Sequence, residues 1–421
     1  MFGLQEYFHN LSDELYRPAT IIFQCIKSRF DDLGICLTSD QISQLDSISK
    51  DVVEEGVLEI NFNFESDQLK NAGFNNEEEI EPFIQQIFDE LNEDIDAYLK
   101  ELDQDTYETL TKIVDDIAPM VLESLKLNAS EMLSNNRSAD KEFTELIEAK
   151  WGNALNKLEM FLVISQEAVE YVNDEYGKSI DPEGDLILET LIRLHARACQ
   201  ISREIITLLR HGFADGAHAR WRSLHEIAVV GIFLAEGNEE LSERYVLHED
   251  IESYKAALQY RKYSEELGLD EIDDQEFEEV KEIRDKLIDR FGKEFNGDYG
   301  WAAAALNNKR PNFSDIESAI SLDHYRPYYK LASHNVHANA KGLFVKLGLR
   351  EDSRDILLAD SSDYGLTEPG HSMALSLGIL TVQVLTHNST VDLFVISKMI
   401  KQLSDELGDE FSEIEISENN N

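Results

Sequence analysis

Residues 186–210 read LILETLIRLHARACQISREIITLLR, and this stretch decides the fold. Leu188, Leu191, Leu194, Ile201, Ile205, Leu208 and Leu209 cover most of a helical circumference. One stripe is polar: Arg193, Arg197, Gln200, Glu204, Thr207 and His211, at steps of 4, 3, 4, 3 and 4. At the helical period these six share one line to within about 40° on either side. An apolar helix cannot bury such a row unpaired, so the stripe faces either solvent or other polar groups in a cleft.

The pattern repeats on both sides of a break at HGFADG (211–216). Residues 215–235 predict a second helix, with His218, Arg222 and His225 on one face and Glu226 a turn beyond Arg222. Residues 327–342, PYYKLASHNVHANAKG, predict a third, with Lys330, His334, His337 and Lys341 at steps of 4, 3 and 4. Two lysines beside two histidines repel a cation and suit an anion such as phosphate. Each row is also what an ordinary solvated helix face looks like.

The rest of the 421 residues agrees with a helical chain. Only 7 prolines and 21 glycines occur, and 42% of residues are hydrophobic. A multi-helix, all-α bundle is expected. Helices are expected over most of the first 55 residues, over 77–134 and over 141–176, and one long apolar helix over 371–403. The single credible strand is VLEINFNFE (57–65), which alternates. NNRSAD (135–140) reads as a loop and a boundary. The expected organisation is an acidic helical region over 1–150, a core domain over 151–404 and a disordered acidic tail over 405–421.

The net charge is −46, which repels nucleic acid and anionic lipid wherever no basic patch intervenes. Residues 1–150 alone carry 34 acidic and 11 basic side chains. Two windows break the pattern: 191–235 is net +3, 301–350 is net +4, and together they hold seven of the eleven histidines. This basic, histidine-rich island predicts an anion-binding pocket. Trp221 beside it could stack on a base. Three cysteines without CxxC spacing read as reduced thiols, and no basic-then-apolar leader is visible at the N-terminus. A cytoplasmic protein without a membrane span is expected, because the longest apolar runs are too short.

Several chemistries lack their motifs. Gly177-Lys178-Ser179 ends like a P-loop, but Val172 stands where its first glycine belongs. HExxH and GxSxG are missing, and the two Glu-x-x-His runs, Glu6–His9 and Glu368–His371, both lie outside the basic windows. No metal and no cofactor is therefore expected. Arginine and histidine without metal suit RNA phosphodiester cleavage, or plain nucleotide or phosphate binding.

The blocks HARACQISREIITLLRHGFADGAHARWRSLHEIAVVGIFLAEG (195–237), KEFNGDYGWAAAALN (293–307), HYRPYYKLASHNVHANAKG (324–342) and DYGLTEPGH (363–371) resemble a bacterial, all-helical domain family of unknown function over about residues 180–390. That family is in turn similar to the HEPN superfamily of helical bundles. Many of these are metal-independent ribonucleases of toxin–antitoxin and phage-defence systems, with an arginine four to six residues before a histidine. Arg220 and His225 have that spacing, although they lie about 140° apart on a helix. The resemblance implies an endoribonuclease of a defence or stress system, with RNA or a nucleotide as ligand, a co-encoded protein partner and a homodimer. Arg222, His225 and His337 are the expected catalytic residues. Arg193, Arg197, Glu204, His218, Arg220, Glu226, Lys330, His334 and Lys341 are the expected phosphate- or ligand-binding ones. The rival expectation is a non-catalytic helical protein that binds a nucleotide or an acidic segment of a partner.

Overall fold

A computed structural model describes residues 16–55, 64–178, 185–337, 340–350, 356–388 and 390–419. The chain divides into two units, residues 1–133 and 134–421, so the division falls ahead of residue 150. Among the described residues there is no strand. The expected strand at 57–65 lies outside them but for its last two residues.

The first unit holds α1 (Pro18–Asp32), α2 (Ser39–Glu55), the short α3 (Ser66–Asn71) and the long α4 (Glu81–Leu127). Pro18 opens α1, where a missing N–H costs nothing. Ile26, Phe30, Leu45 and Ile80 close a small core between α1, α2 and α4. Arg29 ties α1 to α4 through Asp94 at 2.5 Å and Glu90 at 2.7 Å.

The second unit contains most of α5 (Ala129–Lys178), then α6 (Leu186–Arg210), α7 (Ala214–Ala235), α8 (Glu239–Leu267) and α9 (Asp274–Phe291). After them come α10 (Phe313–Ala319), α11 (Arg326–Val336), α12 (Ala340–Phe344), α13 (Thr367–His387) and α14 (Val391–Asn419). Helices α6, α7 and α13 pack against one another, and α14 pairs with α13. Their core includes Trp151, Phe161, Leu191, Ile205, Trp221, Leu377 and Phe411. A second core, with Phe233, Phe295, Trp301, Phe313 and Tyr329, joins the far end of α7 to α8–α11.

The α6–α7 turn needs its glycine. Gly212 has φ +74, and a Cβ there would sit 2.6 Å from the Ser362 carbonyl oxygen and 2.7 Å from the Phe143 ring. Gly212 also accepts a hydrogen bond from Ser362 N at 2.9 Å, which pins the segment before α13 onto the turn.

Four expectations are corrected. NNRSAD is interior to α5, where Ser138 returns its hydroxyl to the Ser134 carbonyl at 3.0 Å and no proline or glycine interrupts the ladder. The expected helix over 371–403 is two helices, because α13 ends at His387, with Asn388 as its C-cap, and Thr390 starts α14 by accepting from Leu393 N at 3.3 Å. Residues 405–419 of the expected disordered tail are the second half of α14, held by buried Leu407 and Phe411. The expected helix over 327–342 stops at Val336: His337 is extended, and Lys341 lies on the separate α12. The chain doubles back there, so that a Cβ on Gly342 would be 2.4 Å from the His334 carbonyl oxygen. Among the described residues no helix is long and apolar enough to cross a membrane. The run within α13 is instead buried nearly all round as the central helix of the core.

Candidate functional site

Helix α7 carries the centre of the site because α6, α10, α11 and α13 all pack against it. Arg222 leaves α7 half-buried. Its Nε donates to Glu226 Oε1 at 3.1 Å, one turn along. Its guanidinium carbon lies 4.8 Å from the Tyr329 ring centroid, and Nη1 stands 3.3 Å from His337 Nε2. Tyr329, from α11, donates its hydroxyl to the same Glu226 carboxylate. Burial, and then the hydrogen bond to Glu226, push the Tyr329 phenol up, so it remains a donor. Burial opposes the Arg222 charge, but Tyr329 and Glu226 outweigh it and raise its pKa. The result is an arginine fixed in position with an exposed imidazole at its tip.

Glu226 also borders a cleft of about 330 Å³. Arg197 from α6 and Arg220 from α7 line it, and Tyr245, Tyr299, Trp301 and Phe313 supply aromatic wall. Arg197 donates to Gln200 Oε1 at 2.7 Å, on its own helix. Arg220 crosses the α6–α7 hairpin to pair with Glu204 and donates to Ser223 Oγ at 3.3 Å. Tyr245 also lines a neighbouring depression of about 390 Å³, where exposed Arg193 pairs with Glu189 at 2.7 Å. Arg193 and Arg197 of the α6 stripe thus line two neighbouring depressions that share Tyr245, while Gln200 lines a separate cavity between α5 and α6.

Not every expected residue reaches this groove. His225 is 3% exposed and faces inward, with Nε2 3.1 Å from Glu317 Oε1. Rings of Trp221, Phe313, Tyr325 and Tyr329 surround it. Arg326 closes the cluster on the other Glu317 oxygen. His225 therefore cannot touch a ligand in the cleft, which corrects its expected catalytic place. Arg220 and His225 point to different partners, so their sequence spacing does not make one site. His218 is fully buried, stacked on Trp221 with centroids 5.2 Å apart and planes 11° apart. Neither of its ring nitrogens has a hydrogen-bond partner among the described residues, and burial lowers its pKa to about 4. It is a core residue, not a ligand-binding one. Lys330 is exposed on α11, His334 half-buried beside it, and Lys341 belongs to the next helix. Trp221 does not stack on a base either, because its ring is 1% exposed, with its indole N–H donated to Ser376 Oγ at 2.9 Å inside the core.

Glu317 is the functional-looking residue that sequence reading missed. Its only signal was an acid within a net-positive window, on a seven-residue helix too short to show a face.

A larger cavity, about 420 Å³, lies between α5 and α6 and is lined by Cys199 and His195. Burial raises the thiol to about 12 and lowers the imidazole to about 4, so the pair is neutral and not a thiolate nucleophile. Among the described residues no group of three or more His, Cys, Asp or Glu is arranged to hold a metal ion.

Residues 188–355 match the model of a family of unknown function, DUF5677. The matched span runs from α6 past α12 and carries Arg222, Glu226, Glu317, Tyr329 and His337; it is narrower than the 180–390 expected from the sequence blocks. No curated protein and no solved structure matches the chain.

Proposed function

We propose that the chain is a HEPN-like RNA-processing protein, a metal-independent endoribonuclease acting at the Arg222–His337 pair. The carrying observation is the 3.3 Å approach of Arg222 Nη1 to His337 Nε2, two residues that lie 115 positions apart. Single-stranded RNA would lie in the α6–α7 cleft, with a base against the aromatic wall and phosphates at Arg197 and Arg222. His337 would take the 2′-hydroxyl proton as that oxygen attacks the adjacent phosphorus. The P–O5′ bond breaks, leaving a 2′,3′-cyclic phosphate, and the departing 5′-oxygen takes a proton from water. Arg222 would balance the charge gathering on the phosphorane. Glu226 and Tyr329 position Arg222 from behind, so its guanidinium is ordered before substrate arrives.

A second reading is binding without cleavage, of a nucleotide or of an acidic segment of a partner. The observation in its favour is that Glu317 seals His225 away, leaving one open histidine where cleavage commonly uses two.

Incubating the full chain with end-labelled single-stranded RNA in EDTA, beside DNA of the same sequence, separates the readings. Cleavage of RNA alone, lost in both Arg222→Ala and His337→Ala, supports the nuclease. RNA and DNA bound alike and left intact support the binding protein. No cleavage and no binding of either strand sinks the nuclease, and no binding of a mononucleotide or an acidic peptide in a parallel titration sinks the second reading.

A further inference from the structure

Helices α13 and α14 leave a groove of about 560 Å³ on the side away from their shared core. That volume falls within the roughly 300–1,000 Å³ typical of small-ligand sites. Leu375, Ile379 and Val382 from α13 and Phe394 from α14 make it apolar. Phe394 is 56% exposed, a large ring held out to water at the groove's end.

Two features distinguish it from a merely greasy seam. Lys398 and Lys401 project from α14 along its wall, one turn apart. In a chain of net charge −46, neither of these has an ion-pair partner among the described residues, whereas Lys150, Lys157, Lys255 and Lys281 each pair with a carboxylate. Asp405 is the one acid on the wall, so the groove carries two positive charges against one. The second feature is Ser404, which is 4% exposed and lines the groove. Two other hydroxyls on this wall return to their own helices: Ser397 donates to the Leu393 carbonyl at 2.8 Å and Thr386 to the Val382 carbonyl at 2.7 Å. Ser404 Oγ makes no such bond and has no partner among the described residues, as is also true of Ser165, Ser202 and Ser242. A buried donor left unmade is costly, and an acceptor arriving from the groove would satisfy it.

We propose that this groove binds a long-chain carboxylate, its chain along Ile379, Val382 and Phe394 and its head group at Lys401, Lys398 and Ser404 Oγ. The apolar wall accounts for the chain. The unpaired ammonium groups and the unsatisfied hydroxyl account for an anionic acceptor at its head. None of these residues belongs to the Arg222–His337 cleft, so this site stands or falls separately from the proposed RNA chemistry.

The test titrates the full chain with cis-parinarate, a fluorescent long-chain carboxylate, and in parallel with its uncharged methyl ester. Saturable binding of the acid is expected, with the ester weaker by about tenfold. The exposed double variant Lys398→Glu/Lys401→Glu should weaken the acid by about tenfold or more and leave the ester unchanged. Val382→Trp, which fills the groove, should abolish both; should it fail to fold, the lysine pair on the surface still decides. Equal affinity for acid and ester, or an unaffected lysine variant, would overturn the carboxylate site. So would absence of probe binding in a chain that sediments as a dimer and becomes monomeric in Val382→Trp, because a second copy would then be the occupant.

Discussion

His225 Nε2 stands 3.1 Å from Glu317 Oε1 inside a shell of aromatic rings, and Glu317 is wholly sealed from water. With Arg326 on the second Glu317 oxygen, one carboxylate holds α7, α10 and the start of α11 together. Glu317→Ala would leave His225 and Arg326 without their acceptor, a loss of about 3–5 kcal/mol for a broken buried pair. Urea denaturation should show it. Glu317→Gln, which keeps an acceptor oxygen, should lose clearly less. A loss under about 1 kcal/mol in the alanine variant would mean that the cluster does not lock these helices.

Acid should destabilise the chain from the inside. Burial holds His195 and His218 at about 4, below the ordinary 6.5. Between those values the unfolded chain binds protons that the native chain refuses. Their contribution to stability is therefore intact above pH 6.5 and is lost as pH falls toward 4, by up to about 3 kcal/mol each. Burial shifts His248 and His371 in the same direction. His218→Phe preserves the stack on Trp221 and removes two unsatisfied nitrogens. Thermal melts from pH 7 to 4 should find it more stable at neutral pH by about 1 kcal/mol, with a flatter acid limb. An unchanged acid limb would show that His218 titrates normally.

If RNA occupies the cleft, salt should report Arg222 directly. Each phosphate contact on a single strand contributes about −0.7 to the slope of log K against log salt. Arg222→Ala should therefore bind more weakly at low salt and with a slope shallower by about that amount. Arg222→Lys keeps the charge but loses the planar contact with the Tyr329 ring and the two-armed reach to Glu226 and His337. It should recover the slope and not the cleavage. A slope that is the same in all three proteins would remove Arg222 from the phosphate path.

The helices and their convergence were legible because α6, α7 and α11 each carry a polar row at 3–4 spacing on an apolar body. Such a row faces either solvent or other polar groups; the rows of α7 and α11 meet at Arg222 and His337, while Arg193 of the α6 row is exposed. Periodicity alone misled at Lys341, since it extends a face beyond the point where the backbone turns; at His337 the chain becomes extended and Gly342 closes on the His334 carbonyl. It misled at His218 and His225 too, because one face of α7 looks toward both core and cleft. A histidine stacked on Trp221 and one facing the cleft have the same spacing in sequence. Glu317 was hidden by the brevity of α10, whose seven residues show no period.

The C-terminal segment makes the sharpest test of a misread stretch. SDELGDEFSEIEISENNN is so acidic that its apolar positions are easily discounted, yet Leu407, Phe411 and Ile414 lie one turn apart along α14. Phe411 is fully buried, with its ring centroid 5.9 Å from that of Trp151 on α5. Its ring also fills the space that Gly370 leaves open on α13, where a Cβ would come within 2.7 Å of it. One side chain thus joins three helices of the second unit. Phe411→Ala should cost about 3–5 kcal/mol, as large buried rings usually do, because the glycine beside it cannot fill the void. Met399→Ala, at a position 49% exposed on the same helix, should stay within about 0.5 kcal/mol. Near-ultraviolet circular dichroism should change in the Phe411 variant as Trp151 loses its neighbour. A Phe411→Ala protein with wild-type stability and an unchanged tryptophan signal would return residues 405–419 to the status of a solvated tail.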